Sequence, residues 1–513
     1  MNALEALRAK MAAQESMFND EQQRFISTAL SRKDCILIGS AGTGKTTSIR
    51  GYLDSYLNGD KYIPTLGDVD GHKYLKTEMY GVLFVSYTRR AVDNIKRNVP
   101  ANMKNNCLTI HKLLEYKPHK FLIEDPETGE MRNTMQYLPS RTKERPLPEG
   151  IHTIVFEEAS MISVELFELV MKALPHKEVQ LIFIGDIQQL LPVFGQPVLG
   201  KKMVELKDST VLLHRVYRQA LESPIIRLAQ RILSGKSITA PAEWQTQELV
   251  LHPWKKKISE DNAIAVLSAF IKSQYEQGKY DPSEHMILCP FNKGVGTIEL
   301  NKHVAQMLAK KFNRKVHEVV AGFNTHYLAE GDRVLVDKAE AEIIRIKRNP
   351  SYLGKRPQPA ATTLDYWGYN PLATQEIEQE SEEDIDAYLD ALTAGNIEDK
   401  VNSSSHIITV RILDTGIDVE LTTAAKINDM LLAYVLTVHK AQGSEWDKVY
   451  LLLHHTHNTM IQRELLYTAV TRAAKELYVI CEPDHFVKGV QRQRIPGNSL
   501  EEKLEFFKTK FGG

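Results

Sequence analysis

Four short apolar runs, "CILIGS", "VLFVSYT", "TIVFEEAS" and "VQLIFIGD", punctuate the first part of the chain, each closing on Gly, Thr, Ser or an acid. They are rich in β-branched and aromatic residues and lack the alternation of a half-exposed strand. They therefore read as parallel strands buried on both faces. Helix-like stretches separate them, the pattern expected of an α/β fold. Ligands of such sheets gather at the carboxyl ends of the strands, which is where these polar residues fall. Residues 115–150 break the rhythm with Pro, charge and the turn signal "DPETGE". A second α/β set runs from "MILCPFN" to "KVYLLLHH" and "ELYVICE". It is interrupted over 310–430, where "YLAEGDRVLVD" and "SSSHIITVRILDTGIDVEL" read as antiparallel strands. Two α/β cores, each carrying an insertion, is the economical architecture.

Length and composition narrow the class. At 513 residues the chain exceeds one ordinary core, and three or four domains are expected. With 43% hydrophobic and 25% charged residues it reads as soluble and globular. No apolar run approaches the ~20 residues that span a bilayer. The start, "MNALEALRAKMAAQESMF", is an amphipathic helix pattern and not a signal peptide, so a cytoplasmic location is expected, without a membrane partner. Cys35, Cys107, Cys289 and Cys481 form no CxxC and suggest neither a cysteine zinc site nor a disulfide framework. The net charge of −1 hides an uneven distribution, because residues 374–400 hold ten acids and one Lys while the remainder is mildly basic. Local Lys and Arg clusters, not the total, decide phosphate binding, so nucleic acid is not excluded.

The chemistry begins at "GSAGTGKT". Gly39, Ser40, Ala41, Gly42, Thr43, Gly44, Lys45 and Thr46 match GxxxxGK[ST] directly after a strand and before a helix that opens on Lys45, Thr46 and Thr47. The glycines let backbone amides approach phosphates, Lys45 reaches the β and γ oxygens, and Thr46 can hold magnesium. Upstream, the amide of Gln22 can pair with the N6 donor and N7 acceptor of adenine. Glu157 and Glu158 close a strand; one carboxylate can hold magnesium while the other orients or deprotonates the attacking water. Gln189 closes the next strand, where a neutral amide can sense the γ-phosphate.

The order "GSAGTGKT", "VFEEAS", "GDIQQLLPV", "VYRQ", "LTVHKAQGSEWDKVYLL" and "LYTAVTRAAKELYVI" resembles the superfamily 1 helicases, in particular the RecD-like branch (superfamily 1B) that includes the phage-type Dda helicase. The resemblance extends from about residue 18 to 480. It implies two RecA-like P-loop domains with parallel sheets, ATP and Mg2+ in the cleft between them, and single-stranded DNA above. It further implies 5′ to 3′ unwinding at single-strand/duplex junctions, with roles in replication, recombination or repair and proteins of those processes as partners. Its domains would be 1A (1–114, 151–205), 1B (115–150), 2A (206–309, 431–485), an SH3-like 2B (310–430) and a tail (486–513), in a monomer.

Residue by residue, the resemblance makes Lys45 and Thr46 ligands of phosphate and magnesium, with Glu157 as the second magnesium ligand. Glu158 becomes the group that serves the water, and Gln189 the sensor. Arg218 and Arg472 would be arginine fingers, supplying cations as charge builds on the transferred phosphoryl. Gly443 and Glu445 would lie toward the nucleotide, while Thr88, Arg89, Arg90, His111, Thr437 and His439 would meet DNA. Tyr87, Phe291 and Trp446 are stacking candidates, with core packing the stronger reading for each. The family's usual Asp-Glu pair is Glu157-Glu158 here, and Leu191 replaces a proline. Residues 119–138 read as a projecting hairpin, a strand-separating pin whose Phe121 or Met131 could stack on the terminal base pair. Two rival readings are an RNA helicase of the same superfamily and a regulatory ATP-binding subunit.

Overall fold

The computed structural model describes residues 18–511 except 60–62, 125–130, 193–194, 237–244, 254–257, 323, 337–338, 351, 353–402 and 414–415; side chains of 118–137, 219, 252–253, 339, 483 and 511 also lie outside the described set. The amphipathic start up to residue 17 and the acidic stretch 374–400 therefore fall outside the described residues, as does the side chain of Phe121. The chain forms two compact units, Met1–Lys257 with Val438–Gly513, and Ile258–Thr437.

In the first unit the strands are β1 (Cys35–Gly39), β2 (Val82–Ser86), β3 (Cys107–Thr109), β4 (Lys117–Glu124), β5 (Met131–Leu138), β6 (Thr153–Glu157), β7 (Gln180–Gly185) and β8 (Thr210–Leu213). Six of them make a parallel sheet in the order β3-β2-β6-β7-β1-β8, and the four apolar runs supply its centre. Ile36, Ile38, Leu83, Val85, Ile154 and Phe156 pack into one core. The intervening Cys35, Leu37, Val82, Phe84, Val155 and Ile182 pack into another. Full burial of one such side chain is worth ~1.5–3 kcal/mol, which is why runs apolar at every position demand cover on both faces. Phe156 and Phe183 stack with ring centroids 5.1 Å apart and fix the register of β6 on β7.

The sheet order positions the site. Because β7 lies between β6 and β1 and all three run the same way, the residues after Gly39, Glu157 and Gly185 emerge side by side along one edge. Off this sheet, β4 and β5 pair antiparallel from Lys117 opposite Leu138 to Glu124 opposite Met131. A second parallel set in this unit is β9 (Leu249–Pro253), Ala473–Cys481 and Trp446–Leu452.

The second unit pairs Met286–Cys289 in parallel with Val435–Thr437 and carries the helices Glu260–Glu276 and Thr297–Lys311. Within 310–432, Val316–Ala321 pairs antiparallel with Asn324–Ala329, and a five-stranded antiparallel sheet runs in the order Asp418–Leu421, His406–Ile412, Ala339–Arg348, Arg333–Val336, Leu431–Leu432. Its inward face is Val334, Ile343, Ile408 and Val410. The fold class is the expected one, α/β with parallel RecA-like strand sets and a separate antiparallel β region.

Candidate nucleotide site

The loop after β1 is shaped by glycine. Gly42 and Gly44 adopt φ of 80° and 87°, in the left-handed region where a side chain is strained. A Cβ on Gly44 would lie 2.7 Å from Gln22 Nε2, and one on Gly39 would strike Thr43 Oγ1. The helix Lys45–Leu57 then points its amino end, with its unpaired amides and positive dipole end, at the loop. Lys45 Nζ donates to the carbonyls of Gly39 (2.6 Å) and Ser40 (3.2 Å), and Thr43 Oγ1 donates to Ser40 O (2.8 Å).

A cavity of about 760 Å³ opens over this loop within the first unit. Ser40, Ala41, Gly42, Gly44, Lys45, Thr46 and Thr47 form its floor; Glu157, Glu158 and Gln189 line it, as do Gly443, Glu445 and Arg472. Glu158 is held at φ 52°, and its Oε2 is buried without a hydrogen bond. Gln189 Oε1 is buried and unbonded as well. Each such acceptor costs ~1–3 kcal/mol unless a ligand or water satisfies it. Burial, and then the neighbouring Glu158 charge, push the Glu157 carboxyl up to about 8. Two adjacent carboxylates, beside the Thr46 hydroxyl and a phosphate-type loop, are a donor set that fits a magnesium-bound triphosphate.

Arg472 is buried and held at three points, donating to Thr468 O (3.0 Å), Ser444 O (3.0 Å) and Thr471 Oγ1 (3.1 Å). Arg218 is exposed at the start of the helix Arg218–Glu222 and does not line the cavity, although its neighbours Tyr217 and Ala220 do. Gln22 is fully buried; its Nε2 donates to Gly44 O (3.3 Å) and its Oε1 accepts from Tyr217 OH (2.5 Å). The amide read as an adenine contact is thus engaged with the loop and a tyrosine.

The residues read as DNA contacts have local partners. Thr88 caps the helix Arg89–Asn98 through Ala91 N (3.2 Å), and Gly443 packs so closely that a Cβ there would lie 2.6 Å from Thr88 Oγ1. Arg89 opens that helix. Arg90 lies over the Trp446 ring at 4.2 Å, and Trp446 itself is buried. His111 sits between the rings of Tyr87 (5.7 Å) and Tyr116 (4.8 Å). His439 is half-buried and held below its ordinary pKa, by burial first and then by Arg494. Thr437 is buried on its strand in the second unit.

Three residues escaped the sequence reading. Tyr467 is fully buried, accepts from Ala41 N (2.7 Å) and donates to Asp186 Oδ2 (2.6 Å), tying "LYTAVTR" to the phosphate loop and to the end of β7. Tyr217 N donates to Gly42 O (3.1 Å), and Gln230 Nε2 reaches Ser40 Oγ (3.2 Å). These bonds join 206–257 to the first unit. A tyrosine inside a quoted motif was the available signal for Tyr467; nothing in the sequence marks Gln230.

Comparison with known proteins agrees with this geometry. Residues 22–195 match the family model of an AAA domain, and 432–480 that of a UvrD-like helicase C-terminal domain. The ATP-dependent RecD2 DNA helicase of Deinococcus radiodurans is 25% identical over 94% of this chain, which spans 51% of that relative. RecD of the Mycobacterium tuberculosis RecBCD enzyme is 21% identical over 95% of the chain and 73% of the relative. Among solved structures, a Bacteroides Pif1 helicase with ADP-AlF3 and single-stranded DNA is 15% identical, with a TM-score of 0.44 over 96% of this chain and 98% of that one. With an AAA-domain match followed by a UvrD-like helicase C-terminal match, and RecD proteins aligned along nearly its whole length, the chain is similar to the RecD-like helicases of superfamily 1B.

Proposed function

We propose that this chain hydrolyses ATP to move 5′ to 3′ along single-stranded DNA and to open the duplex at single-strand/duplex junctions. The observation that carries the reading is a cavity floored by the glycine-rich loop and Lys45 and lined by Glu157, Glu158 and Gln189. Loop amides and Lys45 hold the phosphates, and Glu158 accepts the proton of the attacking water. Gln189 senses the γ-phosphate, while Arg472, which lines the cavity, meets the charge that builds on it. Thr46 and Glu157 would hold Mg2+, which neutralises charge on the β and γ oxygens. Thr88, Arg89, Arg90, His111, Thr437 and His439 are the proposed track for the DNA strand. The β4/β5 hairpin is the proposed pin of a 1B region, and the antiparallel region of the second unit the proposed 2B.

The test is hydrolysis and unwinding on matched forks. Wild-type protein should hydrolyse ATP faster with single-stranded DNA, and Lys45→Ala should abolish turnover. An RNA track that stimulates as well as DNA would favour the RNA-helicase alternative. Normal turnover in Lys45→Ala would remove the site assignment altogether.

A further inference from the structure

A second cluster of ligand-type side chains lies at the carboxyl ends of the paired parallel strands Trp446–Leu452 and Ala473–Cys481, and none of its members lines the nucleotide cavity. Leu452 pairs with Ile480, and Leu453 N donates to Ile480 O at 2.8 Å. His454 and His455 therefore leave one strand beside Glu482 leaving the other. Glu482 begins the helix Pro483–Gln491, whose first turn carries His485. One ligand atom from each of His454, His455 and Glu482 lies within 4.8 Å of the others. His455 Nδ1 is 3.1 Å from Glu482 Oε1, and His485 Nε2 is 3.4 Å from Glu482 Oε2.

The burial makes this more than a surface ion pair. Glu482 is 5% exposed, His454 is fully buried, and Glu482 Oε2 takes no hydrogen bond. A buried carboxylate with an unsatisfied oxygen among imidazoles is costly, whereas one divalent cation satisfies the carboxylate and the rings together. We infer that His454, His455 and Glu482 bind a zinc-class divalent cation, with His485 as the fourth donor. Imidazole nitrogens with one carboxylate oxygen suit Zn2+, Co2+ or Ni2+ better than Mg2+. Ligand distances of ~2.0–2.2 Å need the side chains to draw inward from their present spacing, with the strand ends fixed by their ladder. The bound ion would staple the two strands and the following helix.

The experiment uses the full chain, stripped with chelator and titrated with Co2+ and then Zn2+ in excess Mg2+, so that oxygen sites at the phosphate loop are masked. The expected result is one equivalent bound, visible absorption of four-coordinate Co2+ that Zn2+ displaces, and a rise in thermal midpoint on loading. His455→Ala and Glu482→Gln should each weaken uptake by at least ~10-fold, as loss of ligands or of their supports does, with DNA-stimulated ATPase unchanged as a check on folding. His455 is only half-buried, so its variant carries the reading if Glu482→Gln fails to fold. Absence of stoichiometric uptake by wild type, or uptake unaltered in both variants, overturns the site.

Discussion

At the scale of single residues, Glu158 combines two unfavourable features in one place. Its left-handed backbone costs a non-glycine residue on the order of 1–3 kcal/mol, and its Oε2 is buried without a bond. Glu158→Gln should keep nucleotide binding while turnover falls about 10²- to 10⁴-fold, because the amide cannot take the proton. Fluorescent-nucleotide affinity set against phosphate release separates the two; equal loss in both would make Glu158 a binding residue instead. Tyr467 offers a second test. Tyr467→Phe leaves Ala41 N and Asp186 without their shared hydroxyl, at a cost of about 1–3 kcal/mol. That should appear as a higher KM for ATP together with a fall of a few degrees in the thermal midpoint; an unchanged KM would show that the tether does not shape the loop. Arg472, with three bonds fixing its guanidinium, should lose on the order of 10³-fold in rate as Arg472→Ala if it acts as a finger.

At the scale of elements, the β4/β5 hairpin is where the proposed wedge can be tested apart from the proposed motor. Shortening 121–132 to a minimal turn should spare DNA-stimulated ATPase and abolish unwinding, because the first sheet is complete without these strands. Loss of ATPase along with unwinding would place the hairpin in the core instead. A pH effect belongs to the start of β6. Arg32 Nη1 donates to His152 Nδ1 (2.6 Å), and Nε2 lies 3.0 Å from Tyr56 OH. Burial, then the Arg32 charge, lower the His152 pKa to about 4. The folded state therefore binds fewer protons than the unfolded chain. The stability this histidine contributes is present above about 6.5 and lost as pH falls from there toward 4. Thermal midpoints from pH 7.5 to 4.5 should decline less steeply for His152→Gln than for wild type; parallel profiles would dismiss the contribution.

At the scale of the whole molecule, the prediction is direction. A duplex with a single-stranded 5′ tail should be unwound and one with only a 3′ tail should not, as strand-displacement assays on both substrates would read. The opposite preference would remove the proposed polarity while leaving the nucleotide site intact. The sequence by itself determined the α/β class, the phosphate loop and the carboxylate pair. Continuous apolar runs admit only a sheet covered on both faces, and GxxxxGKT has one backbone solution after a strand. It also marked Gln189, since a polar residue just past a buried strand falls on the ligand edge. What only the tertiary structure decided are pairings across long separations. These include Tyr467 bonded to Ala41, Gln22 turned onto Gly44 and Tyr217, Thr88 serving as a helix cap beside Gly443, and Arg218 left outside the cavity lining. The cluster of His454, His455 and Glu482 belongs with them, because no local pattern says which strand ends will lie side by side. Sheet order brings such residues together, and it is set by packing two cores at once, which no short stretch of sequence records.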